Sequence, residues 1–122
     1  MATHKCAVHA IQNLLGKRWT LFILEELEAK SAANYNRLKA KLPSVTAKVL
    51  SQRLSELTHE KIIVRKVLQK SPLHVEYQLS AKGKDLMHVL KKMKDWGISY
   101  NLVPANCTSM NCNDCRPVSS PR

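Results

Sequence analysis

Glycine, aromatic residues and acidic residues are all scarce in this chain of 122 residues. With three glycines there is no glycine-rich phosphate loop, and the sequence also lacks a paired-carboxylate motif and a nucleophile elbow, so it does not predict an enzyme. The six aromatic residues form no stacking platform within a basic segment, which argues against recognition of RNA or single strands.

Long apolar runs are also missing. No run approaches the roughly 20 residues that a helix needs to cross a bilayer, and the N-terminus lacks the apolar core of a signal peptide. We therefore expect a cytoplasmic protein with no membrane partner. In that reducing compartment, the four cysteines are expected to be thiols, metal ligands or redox sensors rather than a disulfide framework.

Basic residues are abundant and unevenly placed. The chain has 20 Lys and Arg against nine Asp and Glu, a net charge of +11. Between Lys30 and Val75 there are ten basic residues but only two acidic ones, Glu56 and Glu60. The same segment has the clearest helix and hairpin patterns, which indicates a folded reader of a polyanion rather than a basic tail. Nucleic acid is the partner that best accounts for both the charge and the ordered segment.

Apolar spacing predicts three helices before residue 44. The first runs from Cys6 to Leu15 and stops at Gly16. The second, from Trp19 to Leu27, is apolar nearly all round and is expected to be the buried centre of the domain. The third is capped by Asn34 and ended by Pro43.

A fourth helix follows after a short turn, with Thr46 or Ser44 as its cap. Its inner side is apolar and its outer side is polar and cationic. The outer residues are Lys48, Ser51, Gln52 and Ser55. Two helices joined by a short turn, the second with such a stripe, are typical of a helix-turn-helix.

Two strands and a long helix complete the prediction. Ile62 to Leu68 and Val75 to Leu79 form a hairpin, and the connection from Gln69 to His74 is expected to project as a flexible basic loop, a wing. Ser80 caps the last helix, which ends before Pro104. The predicted class is α+β, mainly α: a winged helix-turn-helix with a long C-terminal dimerisation helix. We predict one domain over residues 1–103 and a cysteine-containing tail over 104–122.

The last helix carries more apolar residues than so small a domain readily covers. Its stripe consists of Leu86, Val89, Leu90, Met93 and Trp96. We favour packing of this stripe against a second copy in a two-fold dimer. The alternative is that the first two helices cover it.

Side-chain chemistry divides the candidate DNA contacts into two groups. Base edges in the major groove require hydrogen-bonding side chains, as on the fourth helix. The predicted base-contacting residues are Thr46, Lys48, Ser51 and Gln52. The predicted phosphate contacts are Arg37, Arg65, Lys66 and Lys70, while His74 is assigned to a minor groove or the backbone. The alternative for each is an ordinary solvated side chain.

The cysteines have two further interpretations. Cys6 lies near the start of the first helix, where the helix dipole and neighbouring cations favour a thiolate sensor, and a small buried hydrophobe is the alternative. Cys107, Cys112 and Cys115 have C-x4-C-x2-C spacing, which suits zinc or an iron-sulfur cluster if a fourth ligand is supplied. The alternative is a thiol-bearing tail without a ligand, and DNA binding itself requires no cofactor.

Several strings resemble the HxlR family of winged helix-turn-helix transcriptional regulators, relatives of the MarR group. They are Cys6 placed thirteen residues before Trp19, and the segments at residues 17–24, 35–38, 48–54 and 72–80. The resemblance implies a homodimer built through the first and last helices, with the fourth helix in the major groove and the wing beside it. It also implies oxidant or electrophile sensing at Cys6. Lys61 departs from the family pattern, which has a left-handed glycine there.

The function predicted from these features is sequence-specific binding of double-stranded DNA by a homodimeric transcriptional regulator that responds to oxidants or electrophiles through Cys6. The alternative is a metal-binding or redox thiol protein that uses the C-terminal cysteines and for which DNA contact is secondary. The sequence identifies neither the operator nor a small-molecule effector.

Overall fold

The computed structural model describes residues 6–102. Its elements are α1 (Ala7–Leu15), α2 (Thr20–Lys30), α3 (Tyr35–Lys41), α4 (Ala47–His59), β1 (Ile63–Lys70), β2 (Leu73–Leu79) and α5 (Ala81–Ser99). The strands form an antiparallel hairpin. Ala33 bridges to Tyr77 through two backbone hydrogen bonds of 3.1 and 2.8 Å, which join the hairpin to the α2–α3 connection. This confirms a mainly helical winged helix-turn-helix. The predicted tail, residues 104–122, lies outside the described residues.

Side-chain caps determine where three helices begin. Asn34 Oδ1 accepts from the Arg37 N–H at 2.8 Å, Thr46 Oγ1 from the Val49 N–H at 3.1 Å, and Ser80 Oγ from the Gly83 N–H at 3.1 Å. Each cap satisfies a backbone donor that has no partner inside its helix and contributes about 1 kcal/mol. Thr46, rather than Ser44, is therefore the cap of α4.

The core lies between α2 and the elements that surround it. Its fully buried side chains come from α2, α3, α4 and the junction between α4 and β1. They include Ile23, Leu24, Leu27, Leu38, Leu50, Leu57, Ile62 and Ile63. The prediction that α2 is the buried centre of the domain is confirmed by Ile23, Leu24 and Leu27, which are fully buried. Leu21 is nevertheless 37% exposed, and the polar residues Thr20 and Glu26 are buried. In a domain of this size even the central helix keeps one side toward solvent.

The end of α4 contains a left-handed residue, Lys61, with φ 62°. The N–H of Lys61 donates to the Thr58 carbonyl, and that of Ile62 donates to the Leu57 carbonyl, both at 3.0 Å. This pair of bonds is a Schellman motif, which usually has glycine at the left-handed position because a side chain disfavours that conformation. The left-handed turn found in the family pattern is thus kept without its glycine.

Replacing Lys61 with glycine is expected to raise the free energy of unfolding by about 0.5–1 kcal/mol, because glycine relieves the left-handed strain but gains freedom in the unfolded chain. Denaturant titration of the purified protein measures this change. Lys61→Ala is the matched control, since it removes the same charge while keeping a Cβ. An equal gain in both variants would assign the effect to charge and not to backbone conformation.

The wing differs from its prediction. The strands continue to a Lys70 and Leu73 pair, so only Ser71 and Pro72, joined by a cis peptide bond, form the turn. The expected flexible six-residue loop is therefore wrong. Hydrogen bonds between the strands satisfy the backbone N–H and C=O groups here. Apolar and polar residues do not alternate along the strands, because both faces of a projecting hairpin meet solvent. An irregularity between Val67 and Gln69 adds one residue to β1.

The apolar stripe predicted for α5 is divided between two faces. Leu90 is buried and Leu86 packs against the core, while Lys94 Nζ pairs with Glu25 Oε2 of α2 at 3.1 Å. Met87 is buried together with Leu90, but three other apolar residues of the helix, and Tyr100 just after it, point outward. Val89, Met93, Trp96 and Tyr100 are 54%, 55%, 58% and 68% exposed. Helices α1 and α2 therefore do not cover them, and this set is called the outer stripe.

Among residues 6–102, no helix combines the length and the apolar character that crossing a membrane requires.

Candidate nucleic-acid interface

Helices α3 and α4 form the helix-turn-helix. Leu38 of α3, Leu42 and Val45 of the turn, and Leu50 and Leu54 of α4 are all buried. The Val45 N–H donates to the Leu42 carbonyl at 3.1 Å, which closes the turn between the helices. Because these apolar residues occupy one side of α4, its opposite side must face solvent. That exposed side is the candidate reading face.

All four predicted base-contacting residues lie exposed along this side: Thr46, Lys48, Ser51 and Gln52. Thr46 also caps α4, because its hydroxyl oxygen accepts the Val49 N–H. The hydroxyl is therefore available to DNA chiefly as a hydrogen-bond donor. Lys48, Ser51 and Gln52 follow at intervals of three and one, so they form a narrow stripe within the first two turns of the helix. Such a stripe has the width of the base edges that a helix meets in a major groove.

No carboxylate interrupts that stripe. The acidic residue of α4 nearest to it, Glu56, is engaged on the other flank, where its Oε2 lies 3.0 Å from Lys17 Nζ and its Oε1 lies 3.4 Å from Arg53 Nη1. The solvent side of α4 therefore presents only neutral polar and cationic groups to a polyanion.

Arg65 and Lys66, predicted together as phosphate contacts, lie on opposite faces of the hairpin because successive strand residues alternate. Arg65 lies opposite Tyr77 and lines a groove of about 420 Å³ between the hairpin and α4. Lys66 lies opposite Glu76 on the other face, where the carboxylate offsets part of its charge. Of the two, Arg65 is the one that the fold brings beside the reading face.

The other predicted contacts are exposed at separate places. Arg37 is on α3, where its backbone N–H completes the Asn34 cap. Lys70 ends β1 beside the turn, and His74 lies opposite Gln69 near the hairpin tip. The reading face, α3 and the hairpin therefore each present one or more cationic side chains. Contacts to successive phosphates require cations that are spread in this way.

One residue outside the sequence prediction extends this surface. His59 of α4 lines the groove beside Arg65, together with Ser55, which was predicted on the outer side of the helix. Tyr35 Oη donates to the Ala47 carbonyl at 3.4 Å and links α3 to the first turn of α4. His59 continues the row of Ser51 and Ser55 at a helical spacing of four. A helical projection carried to the last turn of α4 would have found His59.

Cys6 is the N-cap residue of α1, exposed, with no side-chain capping bond. It is not a small buried hydrophobe, so that alternative is wrong. Cys107, Cys112 and Cys115 lie outside the described residues. Within residues 6–102, no three His, Cys, Asp or Glu side chains lie together as ligands for a metal ion would.

Known proteins share this arrangement. Residues 14–103 match the model of the HxlR-like helix-turn-helix family. MalR of Fusobacterium mortiferum is 36% identical over 94 residues, which cover 77% of this chain and 89% of MalR. The transcriptional regulator YodB of Bacillus subtilis is 34% identical over 88 residues, covering 72% of this chain and 78% of YodB.

Solved structures agree with the sequence matches. Reduced YodB superposes with a TM-score of 0.70 at 30% identity, covering 80% of this chain and 96% of the YodB chain. YodB has also been solved with quinone bound and after diamide treatment. The redox regulator HypR in its oxidized form gives a TM-score of 0.68 at 29% identity, covering 77% of this chain and 96% of HypR. The family is one of transcription regulators rather than of enzymes. This chain belongs to the HxlR-like helix-turn-helix family of DNA-binding transcriptional regulators.

Proposed function

We propose that the protein occupies an inverted repeat in duplex DNA as a homodimer, with α4 of each subunit in a major groove and the hairpin along the adjacent backbone. The observation that carries this proposal is the carboxylate-free stripe on α4, held outward by buried leucines and flanked by Arg65 of the hairpin. A helix of this kind fits the major groove, and the hairpin cations suit the phosphates beside it.

The outer stripe supports the dimer. Val89, Met93, Trp96 and Tyr100 recur at intervals of four, three and four, which places them on one side of α5. The rings of Trp96 and Tyr100 lie 5.5 Å apart, so the stripe includes a packed aromatic pair. Helix α1 adds exposed Val8 and Ile11, at 72% and 56%. Burial of each large apolar side chain contributes about 1.5–3 kcal/mol, which favours pairing of two copies.

Replacement of Gln52 by alanine is expected to relax operator specificity, with a loss of about 1–3 kcal/mol in discrimination at the base pair it contacts. Lys70→Ala is the matched control from the hairpin, and is expected to weaken binding to all duplexes about equally, because a phosphate contact carries no sequence information. Affinities for a selected operator and for its single-base variants measure both effects. A uniform loss in Gln52→Ala would remove α4 from the role of base reader.

We also propose that Cys6 senses electrophiles or oxidants. The support is its exposure at the start of α1, together with the quinone-bound and oxidized structures of YodB and HypR. The sulfur of Cys6 adds to a quinone ring carbon, and the ring carbonyl oxygen takes up the thiol proton, so no further oxidant is needed. The proposed compartment is the cytoplasm, which keeps the thiol reduced until then. Operator binding itself uses only side chains of this chain and no cofactor.

Treatment with benzoquinone is expected to change operator affinity of the wild type by about 5–150-fold, the range of ordinary allosteric coupling. Cys6→Ser should abolish the response. The triple replacement of Cys107, Cys112 and Cys115 by serine is the control and should keep it. A response that survives Cys6→Ser and disappears in the triple variant would move sensing to the tail.

Elemental analysis of the same preparations tests whether the tail cysteines hold zinc or iron.

A further inference from the structure

We infer that Arg53 is a positioning residue that fixes the angle of α4 against α1, and that this angle sets which spacing of half-sites the dimer accepts. The inference rests on the proposed homodimer. It gives a role in the choice of half-site spacing to residues that belong neither to the base-reading stripe nor to the outer stripe.

Four residues join the α1–α2 turn to α4, and we call them the clasp. They are Lys17, Arg18, Arg53 and Glu56. Arg53 Nε donates to the Arg18 carbonyl at 2.9 Å, although the two residues are 35 positions apart. Glu56 Oε1 lies 3.4 Å from Arg53 Nη1, and its Oε2 accepts from Lys17 Nζ at 3.0 Å. Two side chains of α4 are therefore tied to a single short turn.

Arg53 is placed for this contact and not for DNA. It follows Gln52 directly, so it projects about 100° around the helix from the reading face. Its side chain is only 14% exposed, whereas a phosphate-contacting side chain must reach into solvent. The guanidinium presents donors in a rigid fork, which here spans a backbone carbonyl and a carboxylate. Lysine cannot reproduce both bonds in that geometry.

The carbonyl that Arg53 binds is aimed by an unusual backbone conformation. Trp19 has φ 78° and ψ −15°, a left-handed conformation that is an outlier for a bulky residue. Because φ of Trp19 is a rotation about its N–Cα bond, it sets the direction of the preceding peptide group, whose oxygen is the Arg18 carbonyl. Conformations of this kind persist only where the surroundings hold them. The Trp19 ring packs against the core and lies 5.8 Å from the Phe22 ring.

None of the residues of α1 is buried, and Leu14 and Leu15 near its end pack against the core. The clasp adds polar bonds that tie the end of α1 to α4. If α1 and α5 join the two subunits, a change in the angle between α1 and α4 moves the two reading helices in opposite senses about the two-fold axis. Their separation must match half-sites about 34–36 Å apart, so the angle determines the accepted spacing.

The competing explanation is that the clasp only stabilises the fold. A loss of stability in an Arg53 variant would fit either explanation, so stability alone is a weak test. Spacing preference is different, because a purely structural contact would not change the ratio of affinities between two spacings. That ratio is therefore the readout.

The experiment compares full-length wild type, Arg53→Met, Arg53→Lys and the control Lys91→Ala, which breaks the Lys91–Asp95 pair on α5. Each binds inverted repeats whose half-site spacing varies by one base pair, and a duplex with one half-site. The wild type and Lys91→Ala should prefer the best spacing over its neighbours by about tenfold. Arg53→Met keeps the aliphatic stem and should reduce this preference to about twofold, with single half-site affinity unchanged within about twofold. Arg53→Lys should fall between them.

An unchanged spacing preference in Arg53→Met overturns the inference. If that variant does not fold, Arg53→Lys takes its place with the same two outcomes, because lysine keeps the positive charge but cannot form both bonds. A wild type that binds paired half-sites no better than one half-site contradicts the proposed homodimer itself. If the wild type has a clear spacing preference and the Arg53 variants share it, only the role of Arg53 is contradicted.

Discussion

Met93→Glu is expected to leave the protein monomeric and to lower its affinity for a two-half-site operator by about 10²–10⁴-fold, the usual gain from linking two binding events. Met93 lies in the middle of the outer stripe, between Val89 and Trp96, and is 55% exposed in the single chain. A two-fold axis would place one new carboxylate from each subunit in the same apolar contact, where neither has a partner. Sedimentation velocity and gel-shift titration measure the two effects.

The matched control for Met93→Glu is Lys91→Glu. It changes charge by twice as much on the same helix, but Lys91 is about half a turn from the outer stripe and pairs with Asp95 at 3.8 Å. It should remain dimeric and keep operator affinity within about threefold, since an exposed pair contributes about 0–1 kcal/mol. A dimeric Met93→Glu protein with full operator affinity would show that α5 does not join the subunits.

Raising salt from about 50 to 200 mM is expected to weaken operator binding by about 10³–10⁵-fold. The reason is release of counterions from the phosphates that the protein neutralises. The predicted phosphate contacts are Arg37, Arg65, Lys66 and Lys70 in each subunit. If all bind, a dimer neutralises about eight phosphates, and the plot of log affinity against log salt has a slope of about −7.

Fluorescence anisotropy with a labelled operator gives this slope directly. Lys70→Ala, which removes one cation from each hairpin, should make it shallower by about two, whereas Gln52→Ala should leave it unchanged. Lys66→Ala is expected to have less effect than Arg65→Ala, because Glu76 lies opposite Lys66. A slope near zero would mean that binding does not depend on phosphate contacts.

Local signals in the sequence were enough to predict the helix-turn-helix. Asn34, Thr46 and Ser80 are residues whose side chains cap helices, and all three cap helices in the structure. The apolar spacing of α3 and α4 also fixed which side of α4 faces solvent, because one buried side leaves only one exposed side. Reading face and fold class were therefore accessible from residue order alone.

The hairpin and α5 were predicted less well, because their surroundings are not local. β1 and β2 pair as far as Lys70 and Leu73 in a region exposed on both faces, where apolar alternation gives no signal. On α5, sequence alone did not separate Leu90, which faces the core, from Met93, which faces outward. That division depends on where α2 lies against α5.

The clasp could not be predicted. Lys17 and Arg18 are 35 or more residues from Arg53 and Glu56, and each resembles an ordinary surface charge in the sequence. Their meeting depends on the left-handed conformation of Trp19, a residue type that gives no indication of it. Contacts between residues so far apart in the sequence become visible only in the folded chain.

The central claim, that two α4 helices read one duplex, is tested most directly by chemical footprinting of the wild type on an operator selected from random DNA. Dimethyl sulfate, which methylates guanine N7 in the major groove, and hydroxyl radicals, which cleave the backbone, report the two surfaces separately. We predict two protected major-groove segments on one face of the duplex, centred about 34–36 Å apart, with backbone protection beside each. A single protected segment, or unaltered N7 reactivity under a protected backbone, would contradict the account.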